Sequence, residues 1–89
     1  MNAVITVTGK DTVGIIAKVS AECFAANANI LDITQKVFGG MFVMTMLIQV
    51  DDLKIRFADF VDKMNELGQK EHLVIHTMHE DIFNAMHNI

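Results

Sequence analysis

Residues 30–50 read Ile30-Leu31-Asp32-Ile33-Thr34-Gln35-Lys36-Val37-Phe38-Gly39-Gly40-Met41-Phe42-Val43-Met44-Thr45-Met46-Leu47-Ile48-Gln49-Val50. Two runs rich in β-branched and apolar residues flank a pair of glycines. The favoured two-residue hairpin turns need positive φ, which glycine adopts without steric cost. The stretch therefore predicts strands over 30–38 and 41–50 joined at Gly39-Gly40. That turn fixes a register: Phe38 opposite Met41, Val37 opposite Phe42, and so on back to Leu31 opposite Ile48. Side chains alternate across a strand, so one face collects Leu31, Ile33, Val37, Phe42, Met44, Met46 and Ile48. The other face collects Asp32, Thr34, Lys36, Val43, Thr45 and Leu47. One apolar and one mixed face are expected of a sheet covered by helices on a single side.

Upstream, Ala3 to Thr8 reads as a strand, with Val4, Ile5 and Val7 among threonines. Gly9-Lys10-Asp11-Thr12-Val13-Gly14 breaks the pattern and reads as a loop. A helix follows from about Val13 to Asn27, with Ile16, Val19, Cys23 and Ala26 at helical spacing. Ile15, Ala17, Ala21, Phe24 and Ala25 make this helix apolar on a second side, which implies a second neighbour. Asp11 or Thr12 is the expected N-cap. Downstream, Asp51-Asp52 precedes a helix from about Leu53 to Gln69, with Asp52 as cap and Gly68 at the exit. Phe57, Phe60, Val61, Met64 and Leu67 form its apolar stripe. A last strand spans roughly His72 to His79, and Glu80 to Asn88 reads as a short amphipathic helix with Ile82, Phe83 and Met86 on one side. Right-handed crossovers turn this order into an α+β, ferredoxin-like βαββαβ arrangement. The expected sheet is antiparallel with strand order 4-1-3-2, both main helices lie on one face, and the domain (1–79) carries a C-terminal helical tail (80–89).

Composition narrows the function classes. The 89 residues fill one domain, and the apolar fraction of 52% favours further burial in an oligomer. Net charge is −4, from 7 basic and 11 acidic residues, and no two basic residues adjoin. Nucleic-acid binding needs many phosphate neutralisations, so no nucleic-acid partner is expected. The fold also hosts RNA binders that stack bases on central-strand aromatics, but Val4, Thr6, Thr8, Val43, Thr45 and Leu47 offer none. No apolar run is long enough to span a membrane. The single cysteine and the lack of an export signal point to the cytoplasm.

The loop of residues 9–14 carries the chemistry. It leads into a helix N-terminus, whose free N–H groups and partial positive charge suit a carboxylate. Gly14 permits close approach of a ligand or another chain, and Asp11 can accept hydrogen bonds from an ammonium group. An ordinary strand-to-helix turn with a capping acid reads the same residues without a ligand. The run Gly9-Lys10-Asp11-Thr12-Val13-Gly14-Ile15-Ile16-Ala17-Lys18-Val19, followed by Asn29-Ile30-Leu31-Asp32-Ile33, resembles the ACT domain signature. The ending His79-Glu80-Asp81-Ile82-Phe83-Asn84-Ala85-Met86-His87 is similar to that of short stand-alone bacterial and archaeal ACT proteins.

The resemblance implies a non-catalytic regulatory module that binds a small metabolite, an amino acid, at a homodimer or higher homo-oligomer interface. The ligand site would comprise Gly9, Lys10, Asp11, Thr12, Val13, Gly14 and Ile15 of one subunit with Asn29 and Ile30 of its neighbour. By similarity to the serine-binding ACT domain of phosphoglycerate dehydrogenase, Asp11 and Asn29 fall on two ligand-contacting asparagines. Gly9 departs from a polar contact in that relative, and Val13 replaces a proline, so the ligand's identity stays open. The alternative is a ligand-free dimerisation or protein-interaction module.

No enzyme is read from the chain, because no nucleophile–base pair emerges. Cys23 lies on the core stripe without a base, and Met44 and Met46 face the core. His72 and His76 share a strand face about 13 Å apart, His79 points away, and His87 lies in the tail, so neither a metal nor a cofactor is expected.

Overall fold

A computed structural model of the chain describes residues 1–10 and 13–87. In chain order the elements are β1 (Asn2–Gly9), α1 (Ile15–Ala26), β2 (Asn29–Phe38), β3 (Met41–Gln49), α2 (Phe57–Glu71), β4 (Val74–His79) and α3 (Glu80–Met86). The strands form one antiparallel sheet in the order β2-β3-β1-β4, the expected order read from the other edge.

Gly39 and Gly40 both take positive φ, 61° and 77°, and place Phe38 opposite Met41 as expected. The register holds back to Asp32 opposite Leu47 and then shifts. Ile30, not Leu31, pairs with Ile48, because Leu31 is the extra residue of a β-bulge. The bulge lets Ile30 and Ile33 both pack on the core, while Leu31 is 47% exposed. Val37 also departs from expectation: it opposes buried Phe42 but is 69% exposed at the end of the edge strand.

The core is a single layer between the sheet and two helices. Ala3, Ile5 and Val7 of β1, Phe42, Met44, Met46 and Ile48 of β3, and Ile75 of β4 meet Ile15, Val19, Cys23 and Ala26 of α1 and Phe60 and Met64 of α2. Each fully buried large side chain contributes about 1.5–3 kcal/mol relative to exposure. The opposite sheet face is mixed, as read from sequence, although Val4 is buried between Leu47 and Met78.

Two helix ends differ from expectation. α2 begins at Phe57 rather than near Leu53, and Arg56, not Asp52, is its N-cap. The preceding segment is tied to the end of α1. Lys54 N–H donates to the Ala26 carbonyl at 3.0 Å, and the Asn27 side-chain amide donates to the Asp52 carbonyl at 2.9 Å. Leu53 and Ile55 pack on the core from this non-helical segment. At its other end α2 runs past Gly68 to Glu71, and His72 closes it at φ 58°. Gly68 is buried inside the helix, where an added Cβ would lie 2.8 Å from the Leu73 carbonyl. That glycine permits close packing on β4 rather than marking an exit. α3 contacts β1 and β4, with Phe83 half-buried and Ile82 and Met86 exposed.

Candidate ligand-binding site

α1 starts at Gly14, in the left-handed region with φ 74° and ψ 4°, and no acidic side chain lies in its first turn. Gly14 thus takes the capping position expected of Asp11 or Thr12, and those two lie outside the described residues. Among the described residues no side chain caps the helix start, and a helix N-terminus of this kind suits an anionic group.

The remaining loop residues divide by role. Gly9 ends β1 opposite Phe42, and a Cβ there would collide with Leu73 Cδ2, so packing accounts for this glycine. Lys10, Val13 and Gly14 are exposed. Ile15 is buried in the core, so its side chain faces away from solvent.

Asn29 lies at the opposite end of the molecule. After Ala26 the chain reverses through Asn27, at φ 63°, with Ala28 N–H donating to the Cys23 carbonyl at 2.8 Å and Asn27 N–H to that of Phe24 at 3.1 Å. This Schellman ending launches β2 at Asn29. Asn29 is exposed, while Ile30 packs on the core. The 12 residues of α1 separate Gly14 from this end by about 18 Å. Gly14 and Asn29 of one chain therefore cannot hold one amino acid between them.

The structure adds neighbours to Asn29. A hollow of about 370 Å³ is lined by Phe24, Asn27, Ala28, Asn29, Gln49 and Asp52. Gln49 is the strand partner of Asn29, a pairing that the bulge creates and that the regular register missed. A larger hollow, about 500 Å³, lies at Met1, Asn2 and the β4–α3 junction. Its Glu80 and Asp81 would repel a carboxylate, and it holds none of the expected residues.

The other candidates resolve into packing. Cys23 is fully buried 4.0 Å from the Met46 sulfur, and burial, aided by the Glu22 charge, pushes its thiol up to about 11. His72 caps α2 and lies outside β4, so it shares no strand face with His76. His79 stacks on Phe57 at 4.2 Å and His87 on Phe83 at 4.1 Å. Among the described residues no group of three or more His, Cys, Asp or Glu side chains gathers as a metal site. Among them, too, no helix is long and apolar enough to cross a membrane.

Comparison with known proteins places the chain. The sequence model of the ACT domain family matches residues 2–77. A UPF0237 protein of Clostridium perfringens is 45% identical over 89 residues, covering 100% of both chains. The solved structure of an ACT domain protein from Streptococcus pneumoniae superposes with a TM-score of 0.82 at 35% identity, covering 93% of each chain. A putative glycine cleavage system transcriptional repressor superposes with a TM-score of 0.68 at 29% identity, covering 85% of this chain and 43% of that one. With a matching signature, sheet order and full-length relatives, the chain belongs to the ACT domain family.

Proposed function

We propose that this chain is a regulatory module without catalytic chemistry, and that two copies together bind an amino acid at each of two equivalent sites. One observation carries the reading: loop 9–14 and Asn29 stand at opposite ends of α1, so a site using both needs one from each chain. The ligand's carboxylate meets the N–H groups at the start of α1, and its ammonium group meets Asp11 of the same chain and Asn29 of the partner. Gln49 and Asp52, which share the hollow with Asn29, are further partners for the amine or side chain. The likeness to a putative transcriptional repressor supports a regulatory setting. Residues 80–89 act as an accessory tail to the module.

Calorimetric titration with each common amino acid at millimolar concentration tests the reading. One or a few should bind and raise the melting temperature as their concentration rises. Asn29→Ala should weaken that binding about tenfold, the scale of one lost hydrogen bond to a charged group. If no amino acid binds, the chain is a ligand-free interaction module.

A further inference from the structure

We propose that α3 and the hollow at its first turn dock a basic amphipathic segment of another protein. The segment's apolar side chains cover Ile82 and Met86, and its arginine or lysine enters the hollow against Glu80 and Asp81. This surface uses none of the residues assigned to the amino-acid site, so either reading can fail without the other.

α3 is an addition to the module. The family match ends at residue 77, and α3 spans Glu80–Met86. Its 7 residues do not sustain a helix alone, since isolated helices shorter than about 12–15 residues are marginal in water. Its hold on the domain is slight. It contacts β1 and β4, Phe83 is half-buried, and no residue of α3 is fully buried. The last turn closes on itself: His87 stacks on Phe83 and donates through Nδ1 to the Phe83 carbonyl at 2.8 Å.

One side of this helix is apolar and faces water. Ile82 and Met86 are four residues apart, so they lie one above the other, and they are 52% and 65% exposed. Asp81 and Ala85 form the neighbouring row and are exposed too. A single apolar residue in water needs no explanation, but a paired row on a helix so lightly held does. Methionine suits such a surface, because its flexible thioether adapts to the shape laid against it.

Charge selects the occupant. The hollow of about 500 Å³ is lined by Met1, Asn2, His79, Glu80, Asp81 and Ile82. It holds two carboxylates and no Lys or Arg. Neither acid forms an ion pair among the described residues. Two uncompensated carboxylates beside an apolar row complement a cation carried on an apolar stem. Lysine and arginine are built this way, and a guanidinium fork can bond both carboxylates at once. A partner helix that carries such residues beside leucines or valines satisfies the row and the hollow together. The net charge of −4 favours the approach of a cationic partner. A second copy meeting α3 with α3 would set Glu80 and Asp81 against the same acids, and like charges across an interface are costly. An anionic lipid surface would repel them as well.

Peptide titration of the full chain tests the proposal. The probe is a labelled amphipathic helical peptide with leucines on one side and arginines beside them, followed by fluorescence anisotropy. One control peptide has glutamate for each arginine, and another has serine for each leucine. The arginine–leucine peptide should bind about tenfold or more tightly than either control. Two paired variants, Glu80→Gln with Asp81→Asn and Ile82→Ser with Met86→Ser, should each weaken that binding about tenfold or more. Asp62→Asn with Glu66→Gln removes the same two charges from exposed positions of α2 and should change it less than about twofold. Glu80→Asp with Asp81→Glu keeps both charges and should stay within about threefold of the parent, which separates lost charge from a loosened helix. A parent that does not prefer the arginine–leucine peptide overturns the proposal. So do α3 variants that bind like the parent, an α2 pair that weakens binding as much, or a charge-keeping pair that fails like the neutral one. Self-association that Ile82→Ser with Met86→Ser abolishes, without peptide binding, would name a second copy as the occupant and overturn it too.

Discussion

Individual residues in this chain are chosen for closeness as often as for chemistry. Gly68 would be a poor choice for a helix interior on propensity, since alanine is favoured there by about 1 kcal/mol. It sits where a Cβ would come within 2.8 Å of the Leu73 carbonyl, a backbone atom that cannot step aside cheaply. Gly68→Ala should therefore destabilise the protein by about 1–3 kcal/mol, the usual cost of overpacking, despite the better helix former. Denaturant unfolding reads this directly, and a stabilised variant would refute the packing argument. Cys23 gives a second residue-scale prediction. Its thiol has an ordinary value of 9.0 and is raised to about 11 by burial. Between those values the unfolded chain releases a proton that the folded chain retains. Stability should hold below pH 9 and decline by up to about 3 kcal/mol as the pH rises to about 11. Cys23→Ala should flatten that decline.

At the scale of elements, the hairpin was the most legible part of the sequence. Gly39-Gly40 set the turn, and the alternation from Phe42 to Ile48 assigned the core face of β3 correctly. The bulge was not legible. Leu31 and Ile33 share a face in a regular strand, so nothing in the alternation showed that Ile30 would replace Leu31. The start of α2 was hidden for a related reason. Leu53, Ile55 and Phe57 suit a helix by composition, but hydrogen bonds to Ala26 and from Asn27 hold residues 52 and 54 in a non-helical path. Such tertiary contacts leave no local signal. The bulge makes a testable claim. Deleting Leu31 removes the extra residue and leaves the pairings on either side intact, so the protein should lose at most about 1 kcal/mol. Deleting Ile33 should cost several times more, because a one-residue slip sends Asp32 to the buried face. Comparing the midpoints of the two deletions in urea decides the matter. Equal losses would mean that Leu31 is not a bulge.

For the whole molecule, the sequence pointed to candidate residues but not to how the fold places them. Loop 9–14 and Asn29 were identified by resemblance, and their separation along α1 became visible only in the fold. The same fold places the start of α1 at one end of β2 and a polar hollow at the other. In the proposed two-chain reading, one such end from each chain would make up each of two equivalent sites. Asp11→Ala and Asn29→Ala should each weaken amino-acid binding, yet a mixed dimer of the two contains one site in which both residues are intact. The decisive measurement is calorimetry on an equimolar mixture of these variants, exchanged to equilibrium, with the amino acid that the parent binds best. A site shared between chains predicts that the mixture recovers parental affinity at about a quarter of the parental stoichiometry, since half of the dimers are mixed and each has one working site. If the mixture binds no better than either variant alone, the site does not span two chains.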